Sequence, residues 1–348
     1  MEILASSIII LLSLCLVELL VLLCGGIARV FGTGFRRFVK KASWLLLLPP
    51  LLFAYGALVE RNLLQIKEVV IESPAVPQSF DGFRIVQISD LHLRSFASRQ
   101  RALRRAVDKI NSLDADLVIF SGDLVTMSSD EIAPFADILS ELKAEQGVCS
   151  VMGNHDYLPY DRSLTPQMRN NGIARLKAAE ASFGWTMLDN SNVNLSRGEG
   201  ERISIIGIEN LSAKGNFHSE GDLDQALEGA DGGFKILISH DPSAWDAYVA
   251  GKTDIDLTLS GHTHNMQVAF FGHTPSALLY PHHSGLYVYD RPSSEESCAC
   301  DTPSPDAPDA IRRQYLYVNT GLGETVFPAR IGVLPEITLI RLKHGRGY

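Results

Sequence analysis

Three pieces of one stretch decide how the chain folds: FRIVQISDLHL at 83–93, DLVIFSGDLV at 116–125 and GVCSVMGNHDY at 147–157. Each opens with an apolar run and ends in small or polar residues, the pattern of a buried strand running into a turn. Between the first two lies ASRQRALRRAVDKINSL, where Leu103, Ala106, Val107 and Ile110 share one helical face. Between the second and third, EIAPFADILSELKA at 131–144 reads as another helix. The β-α-β-α-β order predicts an α/β fold, a sheet whose faces are covered by helices.

Working outward, a helix is expected at 167–182, followed by strands in ISIIGIE, FKILISH, DLTLSG, MQVAFFG, YLYVNTG and EITLIRL. The segment Asp290–Ala310, DRPSSEESCACDTPSPDAPDA, interrupts this pattern and reads as a mobile inserted loop. Its Cys298 and Cys300 lack nearby histidines and make a poor zinc site. Upstream, residues 61–82 read as a linker with a possible strand at Lys67–Glu72. The expected organisation is a membrane-associated segment (1–60), that linker, and one α/β domain (83–348) with the insertion at 290–310.

The first sixty residues have a different character. From Ile3 to Ala28 only Glu18 is charged, a run long enough to cross about 30 Å of hydrocarbon. A cleaved signal peptide is disfavoured by the lack of a basic start and of a small-residue cleavage site. Ala42–Val59 carries no charge, is of marginal length, and contains Pro49-Pro50, which predicts a kink or a break. Between the two, Arg29, Arg36, Arg37, Lys40 and Lys41 form a basic connection that marks a cytoplasmic side or an interfacial amphipathic helix. If both runs span, the domain that follows lies outside the cytoplasm. If only the first spans, that domain is cytoplasmic, and Pro49-Pro50 favours this second arrangement.

Of the 348 residues 46% are hydrophobic and 20% charged, which excludes a disordered chain. Net charge is −9, and because the first sixty residues are slightly basic the remainder is more acidic still. That balance argues against a specific nucleic-acid partner. The five cysteines, two of them in apolar runs, do not form a disulfide framework. No protein partner is indicated.

Five short motifs follow strand-like runs: Asp90-Leu-His92, Gly122-Asp123, Gly153-Asn154-His155-Asp156, His240 in ISHDP, and Gly261-His262-Thr-His264. Taken singly, each has an ordinary explanation as a helix cap, a turn or a packed histidine. Together they put seven nitrogen or oxygen donors at strand ends, where open α/β sheets bind ligands. Carboxylate, imidazole and amide donors without thiolates suit Mn²⁺, Fe²⁺ or Zn²⁺. Two such ions about 3.5–4 Å apart can activate water and neutralise charge building on phosphorus.

The ordered motifs D-x-H, G-D, G-N-H-D, H and G-H-x-H resemble the calcineurin-like metallophosphoesterase superfamily over nearly all of residues 83–342. The resemblance implies a two-sheet sandwich flanked by helices, with a dinuclear centre at one edge. By matching position it assigns Asp90, His92 and His264 to one metal and Asn154, His240 and His262 to the other. Asp123 bridges both, His155 acts on the substrate, and Asp156 supports the motif. Two divalent ions are implied, Mn²⁺ ahead of Fe²⁺ or Zn²⁺.

The membrane segment, RIVQISDLHL and the tail YLYVNTGLGETVFPARIGVLPEITLI further resemble a bacterial membrane-bound branch. It contains broad phosphodiesterases and a UDP-2,3-diacylglucosamine pyrophosphatase of lipid A synthesis. Members commonly follow GHTH with Gly-Gly-Gln, where this chain has Asn265-Met266-Gln267. The expected activity is hydrolysis of a phosphodiester or pyrophosphate, UDP-2,3-diacylglucosamine first, giving UMP and the lipid sugar 1-phosphate. A broad phosphodiesterase acting on the cell envelope is the alternative. A non-catalytic membrane scaffold is disfavoured because no ligand position is substituted. Arg330, beside the GLG turn, is expected to reach a substrate phosphate or to form a structural salt bridge.

Overall fold

The structure, a computed structural model, describes residues 2–215, 217–291 and 312–345. The helices are α1 (Glu2–Val30), α2 (Phe35–Ala42), α3 (Leu48–Leu58), α4 (Gln100–Asn111), α5 (Ala136–Leu139), α6 (Pro166–Ser182) and α7 (Leu223–Leu227). Strands β1 (Gln65–Ser73), β2 (Arg84–Ile88), β3 (Leu117–Phe120), β4 (Val148–Ser150), β5 (Trp185–Met187) and β12 (Glu336–His344) make one sheet, in the order β1-β12-β2-β3-β4-β5. Strands β6 (Ser191–Arg197), β7 (Glu201–Gly207), β8 (Phe234–Ile238), β9 (Leu257–Ser260), β10 (Gly285–Arg291) and β11 (Arg312–Val318) build a second sheet, in the order β10-β11-β9-β8-β7-β6.

Strand periodicity builds the layers. Along β2 and β3, Ile85, Leu117 and Ile119 face inward, where Ile203, Ile205, Ile236 and Leu259 of the second sheet meet them. Their neighbours Val86, Ile88, Val118 and Phe120 face outward and pack on Leu103, Ala106, Val107 and Ile110 of α4. The result is the two-sheet sandwich flanked by helices. Gln87 is the polar exception on the inner face: its Nε2 donates to Ser121 Oγ (3.2 Å) and to the Ser260 carbonyl (2.9 Å), tying the sheets together just below the strand ends.

β2, β3, β4 and β5 are parallel, as are β7, β8 and β9, so their carboxyl ends gather at one edge. All five polar motifs begin where these strands stop. Topology thus concentrates the donors in one place.

Three expectations are corrected. Residues 61–82 are not merely a linker, because β1 pairs in parallel along the whole of β12 and forms the edge of the first sheet. The helix read at 131–144 shrinks to two 3₁₀ turns and the single turn α5. Pro134 lacks the amide donor a longer helix needs there. MQVAFFG contributes only isolated bridges, Val268 with Ile331 and Phe270 with His273, because Met266, Gln267 and Phe271 hold positive φ. The insertion with Cys298 and Cys300 lies outside the described residues from 292 onward.

The amino-terminal segments form a helical hairpin. Two passages, Leu4–Val30 and Phe35–Asn62, are long and apolar enough to cross a bilayer. Pro49 and Pro50 fall in the first turn of α3, a position that needs no amide donor, so they do not break the passage. After the turn at 31–34, α2 packs back on α1, with Phe35 and Val39 against Gly25. The open end of the hairpin sits on the catalytic domain. Gly56 lies against the backbone of Arg330, and any side chain at 56 would strike that carbonyl. Glu60 accepts from the Gly332 amide (2.7 Å), and buried Glu324 pairs with both Arg61 (2.7 Å) and Arg99 (2.8 Å).

Candidate metal centre

Each donor sits in the loop just after its strand, and the backbone there is bent to aim it. Asp90, His92, Asp123, His262 and His264 all have positive φ, between 42° and 71°. L-residues adopt that conformation at a cost of about 1–2 kcal/mol each, and such strain gathers at functional sites. Gly122 (φ 97°) is required for a different reason: a Cβ there would lie 2.7 Å from the Gly153 amide and 2.8 Å from His240 Nδ1. Asp156 braces the loops, accepting from the amides of Asp123 (2.8 Å), Gly153 (2.9 Å) and Val125 (3.1 Å). Burial, with Asp123 close by, pushes Asp156 up to about 7.

Two donor clusters result. In one, His264 Nε2 is 3.1 Å from Asp90 Oδ1 and 3.0 Å from His92 Nε2. In the other, His240 Nε2 is 3.2 Å from Asp123 Oδ2, and His262 Nδ1 is 2.8 Å from Asn154 Oδ1. Asp123 belongs to both, since its Oδ2 is also 3.5 Å from His92 Nε2.

These spacings fit cations. Donors ~2.1 Å from one ion stand ~3.0 Å apart at right angles and ~3.4 Å apart at tetrahedral angles. Among the described residues His240 Nε2 has no well-aligned hydrogen-bond partner, although Asp123 Oδ2 stands 3.2 Å away. Its Nδ1 is engaged by the Ser121 carbonyl (2.7 Å), which leaves Nε2 to act as donor.

Electrostatics agree. Burial, then His155, pushes His92 well below the usual imidazole range, and burial takes His262 down to about 4, so both are neutral and each has one lone pair to offer a cation. Burial also opposes charge on His240, but Asp123 outweighs it and raises the imidazole to about 10. A cation binding there displaces that proton. Burial opposes ionisation of Asp90 and Asp123, yet His264 for the first and His240 for the second hold them below the ordinary carboxylate range.

His155 is oriented differently. Its Nδ1 meets the Thr126 carbonyl at 2.8 Å, which fixes the proton on Nδ1 and leaves Nε2 as the open nitrogen. Its ring stacks edge-on against His92 (centroids 4.7 Å apart) and beside Tyr160 (4.4 Å). Sequence reasoning did not find Tyr160, whose hydroxyl accepts from Asn154 Nδ2 (2.9 Å), or Tyr280, whose hydroxyl is 2.8 Å from His262 Nε2. Both come from loops without periodicity, so no pattern could have marked them.

Arg330 is corrected. It is fully buried, and its Nη2 donates to the carbonyls of Thr320 (3.0 Å), Gly321 (3.0 Å) and Gly323 (2.5 Å). It braces the 320–323 turn and does not reach a substrate phosphate.

The departure from Gly-Gly-Gln has a backbone consequence. Asn265 (φ 49°) and Met266 (φ 50°) occupy the left-handed region that glycine prefers. Met266→Gly is therefore expected to stabilise the protein by about 0.5–1 kcal/mol, the relief of strain less the entropy glycine adds to the unfolded chain. Thermal melting checks this, with a rise of about 1–3 °C expected. An unchanged or lower Tm would mean that Met266 packing outweighs the strain. Gln267 anchors the neighbouring loop, with its amide donating to the carbonyls of Phe327 (2.9 Å) and Ala329 (2.8 Å) and its Oε1 accepting from the Thr325 amide (2.8 Å).

The family model for calcineurin-like phosphoesterase matches residues 83–276, more than half of the chain, and the chain belongs to that family. It is a metal-dependent phosphoester hydrolase, and the fold implies divalent ions in this cluster. The chain is 29% identical over 298 residues to the metallophosphoesterase YkuE of Bacillus subtilis, covering 84% of this chain and 90% of that protein. It is 34% identical over 339 residues to the UDP-2,3-diacylglucosamine pyrophosphatase LpxG of Chlamydia trachomatis, covering 85% and 94%. It is 30% identical over 304 residues to a transmembrane protein with metallophosphoesterase domain of Danio rerio, covering 86% of this chain and 62% of that protein. With the apolar hairpin, these relatives mark it as a membrane protein.

Proposed function

We infer that the protein is a dimetal hydrolase acting at a bilayer surface on a lipid-linked phosphodiester or pyrophosphate. The observation that carries the reading is the pair of donor clusters sharing Asp123 at the edge where the membrane hairpin docks. Asp90, His92, Asp123 and His264 would hold one ion, and Asp123, Asn154, His240 and His262 the other, a mixed imidazole and oxygen set that suits Mn²⁺, Fe²⁺ or Zn²⁺, with Mn²⁺ put first by the family resemblance. Bound there, the pair supplies an activated water and neutralises charge on the phosphoryl oxygens. The chain's own groups do the rest. Asp156 and Gly122 fix the loops, and His155, once protonated on Nε2 as well as on Nδ1, would pass its Nε2 proton to the leaving group.

For the substrate, the LpxG relative supports UDP-2,3-diacylglucosamine, cleaved to UMP and the lipid sugar 1-phosphate at the cytoplasmic face of a bacterial inner membrane. Full-length protein with Mn²⁺ and this substrate should release UMP. Cleavage of aryl phosphodiesters without release of UMP favours the broad phosphodiesterase.

One observation favours that second reading. The hairpin returns both its ends to the catalytic domain and leaves the basic helix α2 at its tip. If both arms cross the bilayer, basic residues at the tip select the cytoplasm and the catalytic domain lies on the opposite side, away from UDP-sugars. Labelling of single cysteines placed on the catalytic domain of intact cells separates the two.

A further inference from the structure

Beside the metal centre, and bordered by His155, lies a cleft of about 520 Å³. One wall is the first two turns of α1, through Leu4, Ala5 and Ile8; the other carries Met127, Val326 and His155. We propose that this cleft binds an acyl chain of the substrate, so that the membrane helix itself is part of the substrate site. This rests on the lipid-phosphoester reading above and goes further by naming where the chain lies.

Four observations converge on it. The cleft is continuous with the centre, because His155 and Tyr160 belong to both. A chain lying here begins beside the reacting phosphate. The side chains that line it are poorly covered by the protein: Leu4, Ile8 and Val326 are 66%, 47% and 59% exposed. Apolar groups facing one another across a gap gain about 25 cal/mol for every Å² that an occupant removes from water.

The lining also has the right charge. Among the described residues it contains no carboxylate, and Arg94 is its one permanent charge. Finally, the Val326 wall is held in place. Val326 has φ 61°, an unfavourable conformation for a β-branched residue, and the loop around it is pinned through Thr325, Phe327 and Ala329 by Gln267. Leu11 and Leu12 continue the exposed apolar face of α1 away from the cleft. A chain can therefore slide from the bilayer along α1 into the cleft without crossing water.

The test uses full-length protein in amphipol, loaded with Mn²⁺, on alkyl 4-nitrophenyl phosphodiesters from methyl to decyl. Burial of a methylene is worth about 0.8 kcal/mol, so kcat/KM should climb by up to about fourfold per added CH₂ until the cleft is full. Val326→Glu, which puts a charge on the wall, and Met127→Trp, which fills the space, should each flatten that slope. The readout is the octyl-to-methyl ratio within one variant, so a general loss of activity does not mimic the effect. Equal kcat/KM for methyl and octyl substrates in the unaltered protein overturns the acyl cleft and leaves the phosphoesterase reading standing. A slope that persists in both variants overturns it as well. Failure to hydrolyse any member of the series, with two metals bound, removes the proposed function and this inference with it.

Discussion

Asp123→Ala is expected to lose both metal ions and at least about 10³-fold in turnover, and the two losses should appear together. The carboxylate is fully buried, with Oδ2 3.2 Å from His240 Nε2 and 3.5 Å from His92 Nε2, one nitrogen from each donor cluster. Its Oδ1 accepts from the His155 amide at 2.8 Å, so the same side chain also positions the residue proposed to assist the leaving group. Removing it leaves two cations in a low-dielectric pocket without their shared anion, where repulsion is only weakly screened. Elemental analysis of the purified variant and an aryl phosphodiester assay check this. Two retained ions with near-normal rate would show that Asp123 does not bridge.

His155→Ala should separate what Asp123→Ala joins. The imidazole lies within ligand distance of His92 and Asp123, so geometry by itself admits it as a third donor. The hydrogen bond from Nδ1 to the Thr126 carbonyl leaves only Nε2 open, and each neighbouring cluster already has its own donors. The variant is accordingly expected to keep two ions and to lose about 10²–10⁴-fold in rate, the range of general acid assistance. The loss should be smaller for nitrophenolate leaving groups, which depart without a proton, than for alkoxide ones. An empty metal position in His155→Ala would reassign the residue as a ligand.

Much of this was legible in the sequence because the relevant signals are local. The runs before Asp90, Asp123 and Asn154 are apolar on both faces and end abruptly, and their pattern set both strand type and donor position. The two sheets arise from alternation within those runs, with Ile85 turned to one core and Val86 to the other. Long-range pairing was not legible. Nothing in Gln65–Ser73 announces that it extends the first sheet beside β12, because register between strands more than two hundred residues apart leaves no local trace.

Loop chemistry was harder still. Arg330 looked available because it follows a glycine-rich turn, but it is buried and its Nη2 bonds the carbonyls of that same turn. Tyr160 and Tyr280 reach the site on irregular backbone. The prolines at 49 and 50 misled for an instructive reason: proline breaks the interior of a helix but suits its first turn, and composition does not say where the turn begins.

The proposed mechanism centres on one buried carboxylate, Asp123, organising two cations for phosphoester hydrolysis. The most direct measurement is the metal content of full-length protein equilibrated with Mn²⁺, read beside its turnover of an aryl phosphodiester before and after chelation. Two ions per chain are expected, with activity abolished by chelation and restored as the second equivalent is added. A single ion per chain, or turnover that survives complete removal of metal, would contradict it.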